Sequence, residues 1–533
     1  MQNAVRIDAK DNVAVSVQSL DKGTKLQFAA DVAPDLSVEC ATDVPQFHKV
    51  ALRDIPKGNP VIKYGCYIGV ATEDIPQGAW VSTHNLASTD SERLVEQDEG
   101  VTDKSDAADD LPSNQISAGG TETSSVEAIE DSTAASSRKA DKTHLPSHFM
   151  GYPRPDGRVG IRNKVLILPT SVCASDLAAQ IAHEVPGCVS FHNQNGCSQV
   201  PQDQNVTLDA LAGFAANPNI YGSVILSLGC EGCQNDIVVD MVKEQTSKPY
   251  RSIIIQKVGG IQAAFDAGVA AAKELTAQMQ QLERVKTPIS ELILGTNCGG
   301  SDTTSGLGAN PLIGEVSDWL VAHGGTSVLC ETSEFFGGEQ ILAARAKDKK
   351  TADQILKIVK DYEDYVHLFG AEMREGNPSP GNIAGGLTTL EEKSLGCIHK
   401  GGHAHINNVY PYAGHLLAKE GLVVMDTPGN DPSSVAGLIA GGCQLVLFST
   451  GLGTATGNAI APVFRITANP NTAKTMEDAI DFNASETIFG PHTMVQIRDQ
   501  LIQALVACCD GEQTRSEKLG FTETALPHLC NYM

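Results

Sequence analysis

Several cysteines in this chain of 533 residues stand where thiolate chemistry is available. Cys230 and Cys233 form a C-x-x-C pair within Leu228-Gly229-Cys230-Glu231-Gly232-Cys233-Gln234. That spacing suits zinc, an iron–sulfur cluster or a dithiol. No second C-x-x-C follows at zinc-ribbon distance, so a ligand set would draw on scattered positions. Cys197, Cys298 and Cys397 sit in similar glycine-flanked turns. The plainer reading of each is a small residue buried in a tight turn.

Histidine offers a second route. His399-Lys400-Gly401-Gly402-His403-Ala404-His405 gathers three imidazoles and an ammonium. His403 and His405 share one face if the segment is extended, which suits either a metal or a solvated loop. His84 closes the first unit in Ser82-Thr83-His84-Asn85, as a packing residue or a proton carrier. Asn377-Pro378-Ser379-Pro380-Gly381-Asn382 fixes an irregular loop, the kind that positions ligands or connects domains.

The elements around these residues predict an α/β architecture. Lys164–Pro169, Ser223–Leu228, Arg251–Ile255 and Glu291–Leu294 are short apolar runs that fit strands buried on both faces. Thr326–Leu329, Gly421–Met425 and Gln444–Phe448 repeat the pattern, with helix-like stretches such as Ile261–Gln281 between runs. Three runs end in Gly/Cys or Gly/Ser turns, at 228–234, 295–302 and 449–454. Ligands of open parallel sheets bind beyond such strand ends, where glycine lets backbone amides approach closely. A shared pocket is therefore expected there.

Before residue 90 the pattern is β-rich, with alternation in Val13–Val17 and Lys25–Ala29. Asp54-Ile55-Pro56-Lys57-Gly58 and Glu73-Asp74-Ile75-Pro76-Gln77-Gly78 are near copies, each a turn followed by an apolar strand. Ser, Thr, Ala, Asp and Glu then dominate to about residue 144, a composition too poor in apolar surface to offset its ordering entropy. The expected organisation is a small β domain over 1–88, an acidic linker over 89–147, and α/β catalytic parts over 148–375 and 376–533.

Net charge is −25, which argues against a general nucleic-acid or anionic-membrane surface. No apolar run reaches membrane-spanning length and no signal-peptide core opens the chain. A cytoplasmic location with mostly reduced thiols is expected. An anionic substrate would then need a local cation to overcome the global field.

Taken in order, the motifs resemble one family. They are Lys63-Tyr64-Gly65 with Ile68-Gly69, the run over 151–163, and Asn195-Gly196-Cys197-Ser198-Gln199. Leu228–Glu231, Cys298–Asp302, Ala309-Asn310-Pro311, Asn377–Asn382, Gly385–Gly396 and Ser449-Thr450-Gly451 follow. Together they are similar to the altronate/galactarate dehydratases. The resemblance implies an N-terminal SAF (antifreeze-like) domain and a large α/β catalytic region. It implies a hydro-lyase acting on a small sugar acid such as altronate, with a divalent metal, iron(II) or manganese. A sulfolactate sulfo-lyase belongs to the wider family. Two departures bear on the substrate: Leu452 replaces a frequent Arg, and His403 and His405 replace a Gly/Ser-rich stretch.

On this reading His84, Lys400 and Lys63 are the catalytic candidates, with Lys400 or Lys63 holding the anion. Ser301, Asp302, Asn310, Asn382 and Thr450 contact substrate. Cys197, Cys230 and Cys298 ligate the metal. A homodimer is compatible with the sequence. The competing classes are an iron–sulfur or redox protein built on Cys230 and Cys233, and a non-catalytic carbohydrate-binding module.

Overall fold

The near-copied phrases of the first unit bond to each other reciprocally in the computed structural model, which describes residues 2–29, 36–88 and 145–530. Ile55 and Ile75 exchange backbone hydrogen bonds of 2.8 and 2.9 Å. Asp74 accepts from the Lys57 amide at 2.8 Å, and Asp54 from the Gln77 amide at 2.7 Å. Gly58 and Gly78 close the two turns at φ +83° and +81°, a region that favours glycine. The internal repeat is thus a local two-fold device.

Around it lie two small antiparallel sheets. One joins β1 (Ala4–Val5), β2 (Val13–Ser16), β3 (Lys49–Ala51) and β6 (Trp80–Val81). The other joins β4 (Pro60–Lys63), β5 (Cys66–Ala71) and β7 (Leu86–Ala87). The strand expected over Lys25–Ala29 reduces to a bridge between Lys25 and Glu39. The Asn3 side chain replaces a ladder partner there, donating to the Lys25 carbonyl and accepting from the Gln27 amide. The acidic linker expected over 89–147 lies outside the described residues except for 145–147.

Antiparallel β8 (His148–Pro153), β9 (Val159–Gly160) and β14 (Val285–Pro288) form a small separate sheet. Two parallel sheets then carry the α/β region. The first runs β11-β10-β12-β13, from β10 (Lys164–Pro169), β11 (Cys188–Val189), β12 (Ile220–Ser227) and β13 (Tyr250–Ile254). The second uses β15 (Ile293–Cys298), β16 (Thr326–Leu329), β17 (Ile406–Tyr410) and β18 (Gly421–Met425). It continues with β19 (Leu445–Ser449), β20 (Val463–Thr467) and β21 (Phe482–Asn483), in the order β17-β18-β16-β15-β19-β20-β21.

This seven-stranded sheet crosses the division expected at 375/376. β16 pairs with β18 and β15 with β19, because both central strands are buried along their whole length and need a hydrogen-bonded neighbour on each edge. Among the described residues, no helix is long and apolar enough to cross a membrane.

The first unit docks through buried charge. Lys49 and Lys63 reach Glu392 of the helix Leu390–Ile398 at 2.9 and 2.7 Å. Lys49 also donates to the Gly386 carbonyl, and Thr388 donates to Glu392 through its amide and hydroxyl. Burial alone would raise the Glu392 carboxyl, but Lys49 and Lys63 outweigh it and hold the group at about 2. A carboxyl depressed in the folded state stabilises the fold above its ordinary range and loses that contribution as pH falls. Docking is expected to weaken between about 4.5 and about 2, read as a falling melting temperature and faster hydrogen exchange around Ile68 and Thr389. A melting temperature flat across that window would refute it.

A candidate active site at the strand tips of the large sheet

Three neighbouring strands, β18, β16 and β15, deliver their carboxyl ends to one place. Cys298 is the last residue of β15. Past β16 the chain turns sharply at Glu331, a non-glycine residue at φ +71°, and a short turn brings Glu334 round. Such a left-handed residue is costly and recurs where a side chain must be aimed. Past β18 the helix Asp431–Gly441 opens with Asp431. From the far side, the helix Leu390–Ile398 and its tighter last turn supply Cys397 and Lys400.

These groups interlock. The Cys298 thiol lies 3.0 Å from Glu334 Oε2 and 3.5 Å from Cys397 Sγ. Lys400 Nζ, fully buried, donates to Cys298 Sγ at 2.8 Å, Glu334 at 2.9 Å and Glu331 at 3.3 Å. The Cys298 amide donates to Glu331 Oε2 at 2.9 Å. A cavity of about 540 Å³ opens above, lined by Cys298, Ser301, Glu331, Glu334, Lys393 and Asp431 among others. Gly299 lets the backbone pass Asp431, since a Cβ there would lie 2.2 Å from its Oδ2.

The electrostatics split like groups apart. Burial and the charge of Glu334 push Glu331 up to about 8. Burial opposes ionisation of Glu334 too, but Lys400 and Lys393 hold it at about 2. Burial, then Glu334, raises Asp431 to about 6. Burial and its neighbours Cys397 and Glu334 push the Cys298 thiol well up.

The donor set fits a divalent cation. Ligand atoms of Cys298, Glu334 and Cys397 lie within 4.8 Å of one another, all buried. Two sulfurs and one carboxylate suit borderline-soft ions such as iron(II). Burial and like charge push Glu331, Asp431 and the Cys298 thiol towards their protonated forms. A bound cation would favour the ionised carboxyls and the thiolate, reversing that push.

The structure distributes the sequence candidates over several places. Cys298 and Lys400 fall in this cluster, and Ser301 and Asn382 line the cavity, joined by a 2.7 Å bond from the Asn382 amide to the Ser301 carbonyl. Asp302, Asn310 and Thr450 sit behind it, with their polar atoms engaged in framing. Asp302 accepts from Thr304, Ser305 and Asn469. Asn310 bridges Gly396 and Ser449, and Thr450 accepts from the Gly453 amide. Lys63 is spent on Glu392. His84 is exposed and packs on the Trp80 ring at 4.9 Å, outside the cavity lining. His403 binds Asp318 on the surface, and His405 is exposed. Cys197 and Cys230 belong to the other parallel sheet, beyond β11 and β12, so they do not join Cys298. Cys233 is fully buried in an apolar cluster, and burial pushes its thiol up to about 12, whereas its C-x-x-C partner Cys230 is exposed.

Glu331, Glu334, Lys393 and Asp431 were not singled out from sequence. The signal was present in Cys330-Glu331-Thr332-Ser333-Glu334, two acids directly after an apolar run.

Three family models match the chain in order. The altronate/galactarate dehydratase SAF domain matches residues 2–89. The second domain of D-galactarate dehydratase/altronate hydrolase matches 151–280, and the D-galactarate/altronate dehydratase C-terminal domain matches 289–531. The altronate dehydratase of Escherichia coli is 34% identical over 532 residues, covering 98% of both chains. That of Bacillus subtilis is 32% identical over 536 residues, 99% of both. The (2R)-sulfolactate sulfo-lyase subunit beta of Chromohalobacter salexigens is 34% identical over 383 residues, 72% of this chain and 97% of its own. With all three domain models matched in order and full-length relatives above 30% identity, the chain belongs to the D-galactarate/altronate dehydratase family.

Proposed function

We propose that this protein is a cytoplasmic hydro-lyase that dehydrates a sugar acid, D-altronate, to 2-dehydro-3-deoxy-D-gluconate and water. The observation that carries this reading is the cavity over Cys298, where carboxylates and ammoniums converge in a chain similar end to end to altronate dehydratases. Dehydration requires a proton to leave C2 and hydroxide to leave C3. Cys298, Glu334 and Cys397 would hold iron(II) or manganese, which when bound supplies Lewis-acid withdrawal of charge from substrate oxygen.

The chain's own groups do the rest. Lys393, which lines the cavity, receives the substrate carboxylate. Asp431 makes no ion pair among the described residues and faces the same space, so it takes the C2 proton. Glu331 delivers a proton to the departing C3 hydroxyl, and Lys400 from below keeps Glu331 and Glu334 in place. Each proton-transfer group is worth roughly 10²–10⁴-fold in rate.

The test is a panel of aldonates, aldarates and sulfolactate incubated with the enzyme after chelation and after reloading with iron(II). 2-Keto acid from altronate, lost on chelation and regained with iron, is the expected result. Keto-acid formation unaffected by chelation would overturn the metal assignment. Sulfite release from sulfolactate, with no reaction of altronate, would favour the second reading, which the likeness to the sulfo-lyase subunit supports.

A further inference from the structure

Three cysteines outside the cavity lie on neighbouring segments beyond the tips of the smaller parallel sheet. Its order, β11-β10-β12, makes the segments that follow these three strands neighbours. Each segment carries a cysteine near the surface: Cys173 after β10, Cys197 after β11, and Cys230 after β12. Hydrogen bonds tie the segments together. The Val172 amide donates to Asn195 at 3.1 Å, and the Cys233 amide to Gly196 at 2.8 Å. Thr170 Oγ1 donates to the Glu231 carboxylate at 2.7 Å. Gly196, at φ +96°, presses so close that a Cβ would lie 2.1 Å from the Thr170 carbonyl.

The surroundings suit an anionic, sulfur-ligated group. Helices Val172–Glu184, Pro201–Ala216 and Asn235–Gln245 all begin within a few residues of these cysteines. Their amino ends carry partial positive charge, which favours thiolates and bound anions. At the first of these, the Ser171 hydroxyl is buried with no hydrogen-bond partner among the described residues. Cys230 is exposed, and the Gln256 side-chain amide donates to its Sγ at 3.5 Å.

We propose that Cys173, Cys197 and Cys230 hold an iron–sulfur cluster, with the fourth metal position open. The three sulfurs do not gather within 4.8 Å of one another as the Cys298 set does. A single ion with sulfur bonds of about 2.3 Å needs such close gathering. A cluster separates its cysteine ligands by its own metal and sulfide atoms. Cys233, the partner expected from C-x-x-C spacing, is turned into the core, and Cys173 from another segment takes the third place.

The smaller sheet is tied to the large one at its base. Asn217, closing the helix Pro201–Ala216, bonds the carbonyls of Ile439 and Cys443 at the end of the helix Asp431–Gly441. Asn219 bonds Gln444, so β12 and β19 start from one shared base. Their tips lie away from it.

The full chain, purified without oxygen and treated with ferrous iron, sulfide and a thiol reductant, tests this. Visible sulfur-to-iron absorption with about four iron and four sulfide per chain is expected. Cys173→Ser, Cys197→Ser and Cys230→Ser should each lose most of that absorption with unchanged circular dichroism. Cys298→Ser and Cys233→Ala should keep it. Iron bound without sulfide, or a spectrum unchanged in all three serine variants, would overturn the proposal. Because the readout is spectroscopic, failure here leaves the dehydratase assay unaffected.

Discussion

Replacing Lys400 with Met is expected to lower kcat/KM for the sugar acid by about 10³-fold or more, the scale of losing a buried charge that organises reacting groups. Its ammonium is fully buried and simultaneously touches Cys298, Glu331 and Glu334. Without it, two carboxyls and a thiol crowd a dry space with only Lys393 nearby, 3.6 Å from Glu334. Such groups escape the penalty by taking up protons, which abolishes the contrast between Glu331 and Glu334. Steady-state kinetics checks this, with circular dichroism as the control for folding. Activity within about tenfold of the parent enzyme would remove Lys400 from the machinery.

The second large effect concerns stability. Glu392→Gln leaves the ammoniums of Lys49 and Lys63 buried with no counter-charge. Breaking one side of a buried ion group typically costs about 3–5 kcal/mol. Removing all three charges at once, in Lys49→Met, Lys63→Met, Glu392→Leu, should restore most of that loss, since apolar replacements of buried ion groups are often neutral. Chemical denaturation of both variants measures the difference. Equal losses in the single and triple variants would show that shape, and not unpaired charge, governs this interface.

Much of the architecture could be read from the residues. The apolar runs at Lys164–Pro169, Thr326–Leu329 and Gly421–Met425 became strands with the expected bounds because a strand buried on both faces leaves little choice of side chain. The repeated Pro/Gly phrases announced turns, though not that they would clasp each other. The site was harder. Cys298 and Lys400 stood out by type, whereas Glu331 and Glu334 resembled ordinary surface acids until the sheet placed them under cover. Lys63 was visible as a motif residue, yet only the three-dimensional docking shows its charge committed to Glu392. Cys173 gave no spacing signal at all, because its neighbours in space come from β11 and β12.

The strand order of the large sheet also bears on how the chain is made. β15 must wait for β19, whose first paired residue follows some ~150 positions later, and β16 must wait for β18. Pairing that spans such distances is slow to close. On the ribosome, the half-built layer would therefore present bare, greasy edges until late in synthesis. Such exposure invites association with other nascent chains. Yield from a heterologous host should then depend on chaperone supply and growth temperature more than on the final stability of the fold.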